Sequence, residues 1–251
     1  MADRPVALVT GAAQGVGRAI SERLARDGFA VAVNDLTLDD RLSDLAEKTG
    51  GLAVAGDISG PDTARIIVDQ ASSSLGPVDV LVANAAAMHM EPFVTADPGP
   101  WWHQIDVNLS GHFRLVQAVV PGMRQRGGGR IVVISSGWGV VGHPNATAYA
   151  ASKAALIALT KGLGRELGPD GILTNAIAPA FIDTTQLQVD ADDLGITLEE
   201  MKRRYAEQMP TQKLQTPEEI AGTVAFLAGP DSGGVIGQIL QPNGGATRTR
   251  A

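Results

Sequence analysis

Tyr149 and Lys153 lie four residues apart in the run Ala148-Tyr-Ala-Ala-Ser-Lys-Ala-Ala-Leu156. The run reads as the start of a helix, and side chains at i and i+4 share a helix face. A phenol has a pKa near 10, too high for acid/base work at neutral pH. An ammonium beside it favours the phenolate and is expected to bring it toward the working range. Alone, the pair reads as chance on an amphipathic helix. It gains meaning from Ser135-Ser136, which ends the apolar run Arg130–Ile134 upstream. A hydroxyl at the carboxyl end of a strand can hold a substrate oxygen beside the phenol.

A second group of residues suits a phosphate. Val6–Thr10 is followed by Gly11-Ala-Ala-Gln14-Gly15-Val16-Gly17 and then by a helical pattern from Arg18. Glycines permit the tight turn, the close approach of backbone to a pyrophosphate and the packing of helix on strand, and the helix N-terminus offers free N–H groups to the anion. The acidic residue such a unit needs is Asp35, which ends Ala30-Val-Ala-Val-Asn-Asp35. Its carboxylate would accept hydrogen bonds from the adenosine ribose and repel a 2′-phosphate, so NAD(H) is expected rather than NADP(H). Leu36 follows as a second adenosine contact. The plain alternative is an aspartate capping a turn. Arg18 and Arg41 are the cations a 2′-phosphate would use.

These groups need a frame. Strand-like runs at Val6–Val9, Val31–Val33, Leu52–Val54, Val78–Val82, Arg130–Ile134, Leu173–Ile177 and Ile236–Leu240 alternate with helical patterns near 15–27, 62–75, 100–126, 147–167 and 217–228. Short apolar runs separated by helices predict a doubly wound α/β fold, a parallel sheet with helices on both faces. No linker or repeat divides the chain, so 1–251 is expected to be one domain. Residues 184–210 carry no strand signal and form a polar, acidic insertion with a helical patch at Leu198–Met209. The insertion reads as a surface hairpin or as a substrate lid, and its place directly after a strand end favours the lid.

Composition excludes several classes. The chain has 251 residues, 44% of them hydrophobic, and a formal charge of −7, which argues against phosphate-backbone contacts and so against nucleic acid. It has no cysteine, so thiolate catalysis and cysteine-held metals are out. The histidines, His89, His103, His112 and His143, never fall at the zinc spacing i, i+4. Asp190, Asp192 and Asp193 lack the glycine and distal glutamate of a calcium loop and read as a solvated acidic face. No metal is expected. The chain start lacks a leader pattern and no apolar run is long enough to span a bilayer; the expectation is a cytoplasmic protein without membrane contact.

The motifs together resemble the short-chain dehydrogenase/reductase family, over nearly the whole chain from Val6 to Gly245. Thr10-Gly-Ala-Ala-Gln-Gly-Val-Gly17 resembles its T-G-x-x-x-G-x-G loop, and Gly56-Asp57-Ile58 its adenine-contacting segment. Asn84-Ala85-Ala86 resembles its N-A-G motif. Asn108, Ser136, Tyr149 and Lys153 stand where its catalytic tetrad does. Pro179-Ala180-Phe181-Ile182-Asp-Thr184 resembles its P-G-x-x-x-T loop beside the nicotinamide, and Ile236–Gly245 its last strand. The resemblance implies a Rossmann fold and hydride transfer between NAD(H) and a secondary alcohol or ketone. Tyr149 would be the acid/base, Lys153 the group that lowers its pKa and bonds the nicotinamide ribose, Ser136 the orienter of the substrate oxygen, and Asn108 the holder of a relay water. It also implies a homotetramer built on the helices at 100–126 and 147–167. A 3-oxoacyl thioester reductase of the carrier-protein type is the second reading. Asp35 counts against it, because such reduction draws on NADPH, and Arg124, Arg126 and Arg130 offer it a modest basic patch. A catalytically silent cofactor-binding scaffold or redox sensor is a third, disfavoured because all four tetrad positions are filled.

Two family glycines are alanines here, Ala86 and Ala180, and must accept negative φ or carry strain. Trp101-Trp102 reads as core or interface packing. Trp138, His143 and Phe181 are the candidate substrate contacts beside Ser136 and Tyr149, with Leu187, Met88, His89 and Met90 as further wall. His143 is either a polar contact or an ordinary loop histidine. The apolar residues suggest an apolar, aromatic or alicyclic ketone.

Overall fold

The computed structural model describes residues 4–247. Met1–Asp3, on which the leader reading rested, and residues 248–251 lie outside the described residues. Seven strands, β1 (Val6–Thr10), β2 (Ala30–Asp35), β3 (Leu52–Ala55), β4 (Val78–Ala83), β5 (Gly129–Ile134), β6 (Ile172–Ile177) and β7 (Ile239–Leu240), make one parallel sheet in the order β3-β2-β1-β4-β5-β6-β7. The order reverses between β1 and β4, and ligands bind above that switch point in such sheets. Ten α-helices among the described residues accompany them: α1 (Gly15–Arg26), α2 (Asp40–Thr49), α3 (Thr63–Leu75), α4 (Pro98–Ile105), α5 (His112–Gln125), α6 (Trp138–Val141), α7 (Thr147–Leu167), α8 (Gln186–Asp193), α9 (Leu198–Glu207) and α10 (Pro217–Ala228).

The strands are continuously apolar because both faces are covered; every residue of β1 is buried. One face packs Ile67 of α3, Leu115 of α5 and Leu156 of α7 against the sheet. The other packs Ile20 and Leu24 of α1, Leu42 and Leu45 of α2, and Ile220 and Val224 of α10. The doubly wound Rossmann fold is therefore as the sequence predicts.

Three details differ. The helix expected over 100–126 is α4 and α5 joined by a π-helical turn, Asp106–Gly111. Two inward contacts meet in that turn: Asn108 is fully buried, and a side chain at Gly111 would stand 2.8 Å from Ile58. Helix α2 escapes the periodic reading because only Leu42, Leu45 and Ala46 face inward; Asp39 caps it, accepting from the Leu42 N–H at 3.0 Å, and Gly50 ends it at φ 60°. The last strand begins at Ile239 rather than Ile236, because Gly237 sits at φ 66° and the Gln238 N–H bonds the Asn175 side chain at 3.0 Å. The insertion folds as the α8–α9 hairpin around its own cluster of Leu187, Ala191, Met201 and Tyr205.

No described helix is long and apolar enough to cross a membrane. Helix α7 passes so close to the turn before β7 that a Cβ at Gly164 would lie 2.8 Å from the Gly237 Cα. Gly164→Ala is expected to cost about 1–3 kcal/mol through overpacking. The cost is read as a lower urea midpoint at unchanged slope.

Candidate active site

The carboxyl ends of β1, β4, β5 and β6 converge on one edge. Here β1 runs into the glycine loop. Gly11 and Gly15 adopt φ of 63° and 53°. A Cβ at Gly17 would sit 2.1 Å from the Gly11 carbonyl, and one at Gly11 2.8 Å from the Ala85 Cα. Only glycine fits at either position. Gln14 stands at the N-cap of α1 without a side-chain cap on the helix; its amide accepts instead from Arg41 at 3.0 Å. The first N–H groups of α1 therefore lack a side-chain cap, as a diphosphate cradle requires. Residues of the loop thus fit a dinucleotide. Asp35 ends β2 and accepts from the Ala13 N–H at 2.9 Å and the Leu36 N–H at 2.8 Å, so it anchors the loop. Leu36 is exposed. Arg18 is paired with Asp44 and Glu22, and Arg41 with Asp39.

Asn84 works on protein rather than standing free. Its amide donates to the Thr10 and Gly11 carbonyls at 2.9 and 3.0 Å, while the Asn84 and Ala85 N–H groups donate to the Thr10 hydroxyl. The motif stitches β4 to β1 across the switch point. Asp57 caps its own turn, accepting from the Ser59 N–H at 2.8 Å, and the Ile58 side chain is core. Ala86 and Ala180 both avoid positive φ, which Asn145 and Gln212 alone adopt among the described non-glycine residues; neither alanine carries that strain.

A cavity of about 200 Å³ lies on this edge, lined by Val16 of the loop, Ser136 after β5, Trp138 of α6, Tyr149 of α7, and Ala180, Phe181, Ile182 and Thr184 after β6. Lys153 lies behind it, 1% exposed, its ammonium donating to the Ile134 carbonyl at 2.8 Å and standing 5.5 Å from the Tyr149 ring centre. Burial pushes the Lys153 pKa down to about 7. Tyr149 departs from the sequence expectation. Burial, with the charge of Asp190 adding to it, holds its phenol above the ordinary value, and the hydrogen bond with Ser136 pulls the other way. Desolvation of the phenolate is the largest influence on it.

Asn108 sits in the π-helical turn beneath the cavity. It accepts from the Ala87 N–H at 2.7 Å and donates to the Ala87 carbonyl at 2.9 Å and to the Ser152 hydroxyl at 3.1 Å. Its own carbonyl meets Nδ1 of the buried His112. Burial holds His112 down to about 3, with the nearby Lys153 charge acting in the same direction.

His143 does not join Ser136 and Tyr149. It stacks on Trp138 at 3.8 Å and faces a neighbouring cavity of about 660 Å³ with His89 and Met90, while Met88 lines both cavities. Trp101 bonds Thr147 across α4 and α7 at 3.1 Å, while Trp102 is exposed.

Sequence reasoning missed Gln186, Tyr205 and above all Asp190. Asp190 is not part of a solvated acidic face: it is 7% exposed, accepts from the Tyr205 hydroxyl at 3.1 Å and the Gln186 amide at 3.0 Å, and lines the cavity with Tyr149. Its helical phase, with Leu187 and Ala191 also inward, was the available signal.

The comparisons agree with this frame. The family model described as "Enoyl-(Acyl carrier protein) reductase" matches residues 11–247. A short-chain dehydrogenase/reductase, eriH, of Hericium erinaceus is 40% identical over 98% of both chains. The 3-oxoacyl-[acyl-carrier-protein] reductase FabG of Staphylococcus epidermidis is 36% identical over 95% of this chain and 97% of its own. The structure of L-sorbose reductase from Gluconobacter frateurii, complexed with NADPH and L-sorbose, superposes with a TM-score of 0.93 at 31% identity, covering 99% and 98%. Fold and switch-point site define a Rossmann-type oxidoreductase. The chain belongs to the short-chain dehydrogenase/reductase family.

Burial of Lys153 has a pH consequence. Between about pH 7 and 10.5 the unfolded chain binds a proton that the folded chain does not, so this residue makes stability rise with pH across that window. Lys153→Met is therefore expected to match or exceed the wild-type melting temperature at pH 7 and to lose that advantage by pH 10. A difference constant over this range would contradict the assignment.

Proposed function

We propose that the protein transfers a hydride between NAD(H) and the carbinol or carbonyl carbon of a secondary alcohol or ketone, with Tyr149 as general acid/base. The observation that carries the reading is the meeting of Val16, Ser136 and Tyr149 around one small cavity, with Lys153 buried behind the phenol. When bound, the nicotinamide supplies or accepts the hydride. Gly11, Gln14, Gly15, Val16 and Gly17 would hold its diphosphate, Asp35 and Leu36 the adenosine ribose, Asp57 and Ile58 the adenine, and Pro179, Ala180, Ile182 and Thr184 the nicotinamide side. Asn84, Ala85 and Ala86 complete the cleft through the stitch to Thr10.

Ser136 orients the substrate oxygen toward the phenol. Tyr149 gives its proton to that oxygen in reduction and takes it back in oxidation. Lys153 stands behind the phenol on the Ile134 carbonyl, lends it charge below about pH 7 where it holds its proton, and would bond the nicotinamide ribose. Asn108 keeps the loop at Ala87 and the helix at Ser152 in register and would hold the relay water. The hairpin of residues 184–210 serves as the lid. NAD(H) is favoured because Asp35 faces the adenosine end and Arg18 and Arg41 are already paired; the sorbose reductase complex holds NADPH, so the cofactor is the point to test first.

Likeness to FabG favours a second reading, reduction of a 3-oxoacyl thioester. Its basic patch gains little support. Arg124 is paired with Asp170, Arg126 with Asp79, and Arg130 bonds the Gly229 carbonyl; Arg130 is the second residue of β5, at the end of the strand away from the cavity. A homotetramer is consistent with the apolar groove along α5 and α7, where Phe113 is exposed.

Tyr149→Phe is expected to lower turnover about a thousandfold while leaving NADH binding, read by its fluorescence, within about threefold. Because the phenol stands above its ordinary value, alcohol oxidation should rise with pH into the alkaline range while ketone reduction stays flat through neutrality. A panel of secondary alcohols with NAD⁺ and NADP⁺, followed by absorbance of the reduced cofactor, tests both substrate and Asp35. A preference for NADP⁺ would overturn the Asp35 argument, and turnover of a 3-oxoacyl thioester alone would favour the second reading.

A further inference from the structure

Asp190 carries a charge into a place that gives it no counter-charge. It is 7% exposed, and among the described residues no lysine, arginine or histidine nitrogen reaches its carboxylate. Its two hydrogen bonds come from neutral donors, the Tyr205 hydroxyl at 3.1 Å and the Gln186 amide at 3.0 Å. Arg204 lines the adjoining cavity, but its Nε is held by Glu200 at 2.7 Å. A buried carboxylate without a cation is costly, and each of its oxygens retains a lone pair for a further donor.

The surroundings narrow what that donor is. Asp190 lines both the cavity of Tyr149 and the larger one beside it, so it stands where the two share a wall. Aromatic rings run in a connected series through the first. Tyr149 meets Trp138 edge-on at 6.0 Å, Trp138 meets Phe181 at 6.3 Å, and Phe181 stacks on Tyr205 at 4.0 Å. Among the residues lining the first cavity Asp190 is the one charged side chain; Ser136 and Tyr149 serve the reacting oxygen, Thr184 the nicotinamide side, and Gln186 and Tyr205 already donate to Asp190. Aromatic faces beside one unpaired carboxylate suit an alkylammonium group, which gains from the rings and from the charge together.

We infer that Asp190 is a specificity-determining residue, and that the substrate is an alcohol or ketone bearing an ammonium group that seats between Asp190 and the Phe181–Tyr205 stack while its oxygen meets Tyr149. The inference rests on the oxidoreductase reading of the same cavity and names the class of molecule it takes. It differs from the apolar ketone expected from the sequence, because the carboxylate would offset the burial of a cation that an apolar ketone lacks.

The test compares three methyl ketones of closely similar shape, ending in protonated dimethylammonium, whose N–H can donate to Asp190, in tert-butyl, or in a tertiary alcohol. Calorimetric titration of the full-length protein reads affinity without requiring turnover, and reduction with NADH or NADPH is followed in parallel. The ammonium ketone should bind at least about tenfold tighter than the tert-butyl ketone, and Asp190→Asn should reduce that ratio at least about fivefold. Asp190→Glu should restore part of it. Equal or tighter binding of the tert-butyl or the alcohol ketone to the wild type overturns the inference, and that result needs no variant to fold. So does a ratio that Asp190→Asn leaves unchanged. Selective binding of the ammonium ketone without turnover by either cofactor would support the assignment of Asp190 and count against the oxidoreductase reading; turnover without ammonium preference would do the reverse.

Discussion

Lys153 takes an amino group into the protein interior and bonds the carbonyl of Ile134 at the end of β5. Among the described residues it has no carboxylate partner, so the sheet edge itself must compensate for its burial. That one bond ties the helix carrying Tyr149 to the strand that leads into Ser136. A second contact secures the same pair of elements, since the Ser135 hydroxyl donates to the Lys153 carbonyl at 2.8 Å. Moving α7 along the sheet would break both and would separate phenol from serine. The same tie explains the altered proton affinities: dryness that fixes the lysine in place also disfavours its charge and the charge of the phenolate.

A similar economy holds at the switch point. Asn84 spends its amide on the Thr10 and Gly11 carbonyls, and Thr10 returns a hydroxyl to two N–H groups of the β4 loop. The glycine turn is thereby held from below by β4 and from the side by Asp35. Residues that the family resemblance assigns to the cofactor thus first build the backbone shape that a cofactor meets. Asn108 follows the same pattern through Ala87 and Ser152.

What could be read in advance was local in sequence. The glycine loop, Asp35, Ser136 and the Tyr149/Lys153 pair each lie within or beside one strand–turn–helix unit, where spacing translates directly into position. Parallel strands covered on both faces leave unbroken apolar runs, so six of the seven were legible nearly to their ends. Illegible features depend on contacts between distant segments. Burial of Asp190 requires α8 to fold against α9, and its neighbours Asp192 and Asp193 suggested a solvated face instead. The π-helical turn answers to Ile58, remote in sequence from Gly111. The direction of the Tyr149 shift depends on how dry the finished cavity is, which residue spacing cannot report. The start of β7 was overread because Gly237 interrupts an otherwise apolar run.

Both ends of the α8–α9 hairpin leave the sheet side by side. Ile182 and Gln215 form a parallel bridge, with the Gln215 N–H donating to the Phe181 carbonyl at 3.0 Å and the Asp183 N–H to the Gln215 carbonyl at 2.9 Å. The segment between is a closed excursion with its own small apolar cluster, clamped at its neck. Changes in its length or composition are therefore absorbed before they reach the strands. A loop closed at its neck in this way is a natural unit for grafting whole from one relative to another.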